Sequence, residues 1–140
     1  MINIVDYIYV PKAAIYEGHT AETITKAALY FTKKYLFVLP YESLPVLLAG
    51  LESKSSNMKD YVTDINKKIP ELDINSFHNL MLNSLKPERI YRISELEKFT
   101  IQVGFWIFGG IRIQKKGGEL QAFNVQPQSL REEIKGFYGL

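Results

Sequence analysis

Few residues in this chain combine a reactive type with a spacing that chemistry could use. Glu17, His19 and Glu22 form its carboxylate–histidine cluster. Glu17-x-His19 would place two donors on one strand face, where they could converge on a metal ion. Gly18-His19-Thr20 reads as a turn, however, so a solvated polar turn is the expected state of the cluster. His78 stands between Phe77 and Asn79. A catalytic role would need a nucleophile, a base or an orienting carboxylate beside it, and none is identifiable. A surface or boundary histidine is expected instead. Gly104, Gly109, Gly110, Gly117 and Gly118 do not make a phosphate cradle. No Gly-Lys-Ser/Thr follows them, and no glycine-rich loop leads from strand to helix. Turns and bulges account for all five.

Two groups of residues could hold a partner. Arg112, Lys115 and Lys116 form a small basic group at the last hairpin, which could attract an anion. The plainer reading is a solubilising hairpin tip. Trp106 and Phe108 could form an exposed patch or a dimer seam. Phe105–Phe108 is apolar at every position, though, and unbroken apolar runs are the mark of strands buried on both faces. These five residues are the partner-binding candidates. No residue is assigned to catalysis, to a cofactor or to a metal, and no cofactor is expected.

The composition narrows the classes further. Cysteine is absent, which excludes disulfides, thiolate nucleophiles and cysteine-ligated zinc or iron–sulfur clusters. The net charge of +2 arises from 17 basic and 15 acidic side chains, too even a balance for nucleic-acid binding or a polybasic membrane anchor. Apolar residues reach 46% of the 140, so an ordered core is expected. No basic n-region precedes an apolar run at Met1–Asp6, so no signal peptide is expected. The longest apolar stretches (Tyr35–Pro40, Leu44–Leu51 and Phe105–Ile111) fall short of the ~20 residues of a spanning helix. A cytoplasmic protein follows as the expectation.

These residues are positioned by strands, then helices, then strands and a last helix. Residues 4–17 alternate imperfectly, and Pro11 predicts a break or bulge because proline cannot donate to a ladder. Ala27–Phe31 and Tyr35–Leu39 are strand-like runs around the polar turn Thr32-Lys33-Lys34. Over 43–85 the period becomes helical. Three helices are predicted: one around Leu44–Leu51, one over Met58–Ile69 and one over Ser76–Leu85 capped by Asn75 or Ser76. The Met58–Ile69 stripe could pack inward or offer a partner-binding face. Strands return over 88–125. Lys116-Gly117-Gly118-Glu119 predicts a type I′ hairpin turn. Ser129-Leu130-Arg131-Glu132 reads as a capping box for a final helix with Leu130, Ile134, Phe137 and Tyr138 on its apolar face.

The stretch Leu29-Tyr30-Phe31-Thr32-Lys33-Lys34-Tyr35-Leu36-Phe37-Val38 resembles the early hairpin of GRAM and bacterial PH-like domains. Ile93-Ser94-Glu95-Leu96-Glu97-Lys98-Phe99 is similar to the approach to their later strands. Gly109-Gly110-Ile111-Arg112-Ile113, the Gly-Gly hairpin, Phe123-Asn124-Val125 and the closing helix continue the likeness. The resemblance implies an α+β fold: a PH-like antiparallel seven-strand barrel or sandwich in a single domain, capped by the C-terminal helix. Residues 43–87 would then be a helical insertion between the third and fourth strands. Members of the family often bind phosphoinositides through basic residues near the first loop. Here that loop, Glu17–Glu22, carries two carboxylates, and the next cation is Lys26. A non-enzymatic module for an unknown protein or peptide partner is therefore expected first. A peripheral membrane module for anionic lipid comes second, and an enzyme using His19 or His78 third.

Overall fold

A computed structural model describes residues 6–17, 23–41, 72–104 and 110–140. Strands β1 (Tyr7–Glu17), β2 (Thr23–Thr32), β3 (Tyr35–Pro40) and β4 (Ile90–Arg92) form one antiparallel run. A second run comprises β5 (Leu96–Ile101), β6 (Gly110–Lys115) and β7 (Gln121–Asn124). Pairing of β1 with β7 joins them into one sheet of order β4-β3-β2-β1-β7-β6-β5. Helix α1 (Ile74–Ser84) lies in the chain between β3 and β4, and α2 (Gln128–Tyr138) follows β7.

The predicted break at Pro11 is a bulge. Val10 stands opposite Leu29 and Ala13 opposite Ala27, so β1 carries one extra residue there. One extra residue reverses the alternation of a strand. Ile8 and Val10 before the bulge, and Ala13 and Ile15 after it, therefore enter the same apolar cluster. Pro11 and Lys12 are exposed.

The β2–β3 hairpin forms where its two apolar runs predict it, and it is buried on both faces. Leu29, Phe31, Leu36 and Val38 face one cluster; Ala28, Tyr30, Phe37 and Leu39 face the other. The first cluster receives side chains from all seven strands and from α2, among them Ile8, Tyr91, Ile101, Ile113, Phe123 and Ile134. A sheet can deliver seven strands to one cluster only by curling about it. The second cluster is made by α1, whose Phe77 and Met81 cover the outer side of β2 and β3. Each such fully buried side chain contributes about 1.5–3 kcal/mol by leaving water.

The expected barrel is not closed. Strands β4 and β5 end the sheet and do not pair with each other. β4 is only three residues long, and a 3₁₀ turn at Ile93–Glu95 separates it from β5. That leaves too little backbone for a ladder. Side chains bridge the opening: Tyr91 of β4 donates its hydroxyl to Gln121 Oε1 of β7, and Lys115 Nζ donates to the Pro87 carbonyl at 2.9 Å.

Three local expectations are corrected. α1 is capped by Asp73, not by Asn75 or Ser76; its carboxylate accepts from the Ser76 N–H at 2.7 Å. These bonds hold the Asp73 carboxyl below its ordinary value. The sequence from Ser129 to Glu132 is not a capping box, because α2 begins at Gln128, so that Ser129 already lies inside it, and Pro127 occupies the cap position without a side-chain bond. In the last hairpin the Gly118 N–H closes on the Lys115 carbonyl, and only Gly117 of the glycine pair has positive φ. The two glycines therefore do not fill the two centre positions of a type I′ turn. The helices expected over 44–51 and 58–69 lie outside the described residues. Among the described residues no helix is long and apolar enough to cross a membrane.

Candidate functional site

Where the sheet stays open, a cleft of about 580 Å³ lies between its two ends. Leu82 and Leu85 at the end of α1, Ile90 on β4 and Leu96 on β5 supply its apolar surface. Arg92, Glu95, Lys115 and Lys116 supply its charge. The volume falls in the usual range of ligand-binding sites, roughly 300–1,000 Å³.

Each cation is held differently. Arg92 donates to the Tyr35 hydroxyl at 3.0 Å, lies 5.3 Å from that ring's centre and meets Glu95 at 3.8 Å. The Arg92 and Glu95 side chains remain 52% and 67% exposed, so their ion pair is a loose one. Lys115 reaches across the opening to Pro87 and stands 4.5 Å over the Tyr91 ring. Burial pulls its ammonium below the ordinary lysine value, and nearby Glu88 offsets part of that. Lys116 is exposed on the hairpin tip.

The structure therefore brings Lys115 and Lys116 to the cleft and leaves Arg112 elsewhere. Ile111 and Ile113 of β6 face the inner cluster, and Lys115 continues their side of the strand. Arg112 projects from the other side, between Thr100 and Ala122 in register. Trp106 and Phe108 lie outside the described residues, as do His19 and Glu22. Among the described residues no cluster of three or more His, Asp or Glu could hold a metal ion.

His78 is not a surface residue; it is 7% exposed. Its Nε2 lies 2.9 Å from Thr32 Oγ1, and its ring meets Tyr35 edge-on at 4.9 Å. Thr32 Oγ1 also accepts from the Tyr35 N–H, and the Thr32 carbonyl accepts from the Tyr138 hydroxyl. The β2–β3 turn is thus tied to α1 on one face and to α2 on the other. Burial, and then the charge of Lys34, lower the basicity of His78. A histidine whose folded value lies below its unfolded 6.5 adds stability that is complete above that pH and declines as pH falls toward the folded value. The melting temperature should therefore fall on acidification from about pH 6.5. His78→Gln should flatten that decline, and an unchanged pH profile would refute the assignment. His19 is present in both proteins and cancels in the comparison.

Several of these residues carry no obvious sign in the sequence. Arg92 reads as the polar half of an alternating strand, and Glu95 and Leu96 as a connection. Arg131 is 3% exposed, although it sits in an apparent capping box. Its spacing to Ile134 and Tyr138 could have placed it on the buried side of α2. Comparison of the chain with protein-family models, with curated proteins and with solved structures found no match in any of the three.

Proposed function

We propose that this chain is a non-enzymatic interaction module of PH/GRAM-like fold, which binds a protein or peptide partner in the cleft between β4 and β5. The observation that carries the reading is the cleft of mixed apolar and charged lining that lies where β4 and β5 do not pair with each other. Support for the fold comes from the two antiparallel runs joined through β1 and β7, with a terminal helix on the shared cluster. A helix between the third and fourth strands is consistent with the expected insertion.

The lipid alternative has less behind it. Lys115 is engaged with Pro87 and Tyr91, and Arg112 stands on the other side of β6, so the basic group is divided. A cytoplasmic location goes with the proposal. The test is affinity capture with the wild-type chain and with Leu96→Asp, which places a charge in the cleft. A partner held by the wild type and released by the variant is the expected result. Equal capture by both proteins would count against the cleft.

A further inference from the structure

We infer that protonation of His78 releases α1 from the sheet, so that acid takes down one wall of the cleft while the inner cluster stays folded. That the cleft receives a partner is the reading proposed above; the release of α1 does not depend on it.

The residue stands where a proton is poorly accommodated. His78 is 7% exposed and lies among aromatic rings: Tyr35 edge-on at 4.9 Å, Phe37 at 6.0 Å and Phe77 of its own helix at 6.4 Å. Its bond to Thr32 Oγ1 at 2.9 Å can survive protonation, because a hydroxyl serves as donor or acceptor. What protonation adds is a full charge and a second ring N–H, in a place that water reaches poorly. The surrounding groups do not offset that charge. The β2–β3 turn brings Lys34, which opposes a second cation. Lys33 of the same turn is directed to Phe137 of α2. β4 brings Arg92, bonded to the Tyr35 hydroxyl and paired with Glu95. α2 brings the Tyr138 hydroxyl, which is spent on the Thr32 carbonyl. At the start of α1 the Asp73 carboxylate is committed to the Ser76 N–H.

Release has a defined route. Phe77, Met81 and Leu85 hold α1 in the second cluster, and among the described residues none of α1 belongs to the inner one. The helix can therefore leave β2 and β3 without unpacking the rest. Leu82 and Leu85, one and two turns beyond His78, are the cleft's wall on this side. A histidine that is harder to protonate in the closed state than in the open one favours opening as pH falls. The helix cap does not fail over the same range, since the Asp73 carboxyl is held below its ordinary value and stays ionised.

The measurement is amide hydrogen exchange on the full chain between about pH 7.5 and about pH 5, corrected for the intrinsic exchange rate at each pH. Opening of Ile74–Ser84 should grow below about pH 6.5 by up to about tenfold per pH unit, the limit for one proton, while β6 and β7 keep their protection. His78→Gln keeps a polar partner for Thr32 and cannot take the charge, so it should abolish that growth. A second readout leaves α1 untouched. In His19→Gln, His78 is the remaining one of the chain's 2 histidines, and its ring signals in NMR should titrate with a midpoint below 6.5. Exchange in α1 that ignores pH, or that responds equally in His78→Gln, would overturn the inference. So would a midpoint at or above 6.5, or protection lost from all strands together. If His78→Gln does not fold, the wild type and His19→Gln decide between these outcomes. The capture experiment with Leu96→Asp is scored separately at neutral pH. Equal capture there, with α1 released in acid, would remove the proposed function and keep the release; the converse would remove the release alone.

Discussion

Replacing Arg131 by methionine is expected to cost about 3 kcal/mol or more of folding stability, since removing a buried, hydrogen-bonded charge exposes all its partners to an apolar setting. The guanidinium is held from every side. Nε donates to the Gln102 carbonyl at 3.1 Å. Nη1 donates to Val125 O at 2.7 Å and to Gln126 Oε1 at 3.1 Å. Nη2 donates to Val103 O at 2.8 Å and to Gly104 O at 3.1 Å. All five donors of the fork are used. The residue thus fastens the start of α2 to the end of β7 and to the segment that leaves β5.

Lysine should not rescue it, because one ammonium with three donors cannot span those acceptors. Urea unfolding is the measurement. A loss below about 1 kcal/mol, the size of an ordinary single hydrogen bond, would show that the clasp is not what holds α2. The neighbourhood explains why Gly110 accompanies the arginine. At its φ of 90°, an added Cβ would lie 2.4 Å from the Gln102 carbonyl and 3.1 Å from Arg131 Cδ. Gly110→Ala should therefore destabilise the same junction, and its effect should be non-additive with that of Arg131→Met.

Phe77→Ala should cost about 3–5 kcal/mol if the fold opens as a unit, as expected for emptying a core phenylalanine site. Phe77 is fully buried, meets Tyr30 edge-on at 5.4 Å and stands perpendicular to Phe37 at 5.8 Å. Its neighbours belong to the second cluster, however, so the loss has a preferred route: α1 leaves β2 and β3 while the inner cluster survives. Hydrogen exchange should then show lost protection across Ile74–Ser84 and retained protection in β6 and β7. Phe123→Ala, in the inner cluster, should instead weaken every strand together. Uniform loss of protection in Phe77→Ala would mean that the clusters are not separable.

The strands were legible because their signals are local. Ala27–Phe31, Tyr35–Leu39 and Ile111–Lys115 announce themselves by β-rich composition and turn residues, and Pro11 announces its bulge. The apolar stripe of α2 is legible for the same reason, since a helical period needs no knowledge of what covers it. His78 was expected at the surface or boundary, and the burial of Arg131 went unread, because a polar type argues for exposure on average and only particular neighbours reverse that. For His78 the neighbour is Thr32, 46 residues away in the chain; for Arg131 they are carbonyls as distant as Gln102.

What the sequence determined by itself is therefore the set of elements: antiparallel strands, a helix before the fourth strand, and a last helix with an apolar face. Tertiary structure alone decided that the sheet stays open, that Lys115 turns to the opening while Arg112 turns away, and that Leu82, Leu85, Ile90 and Leu96 meet beside them. The physical reason is separation along the chain. Periodicity assigns a residue to a face, but a cleft is made where the faces of distant elements fail to meet, and that depends on how far each strand extends before its partner turns away.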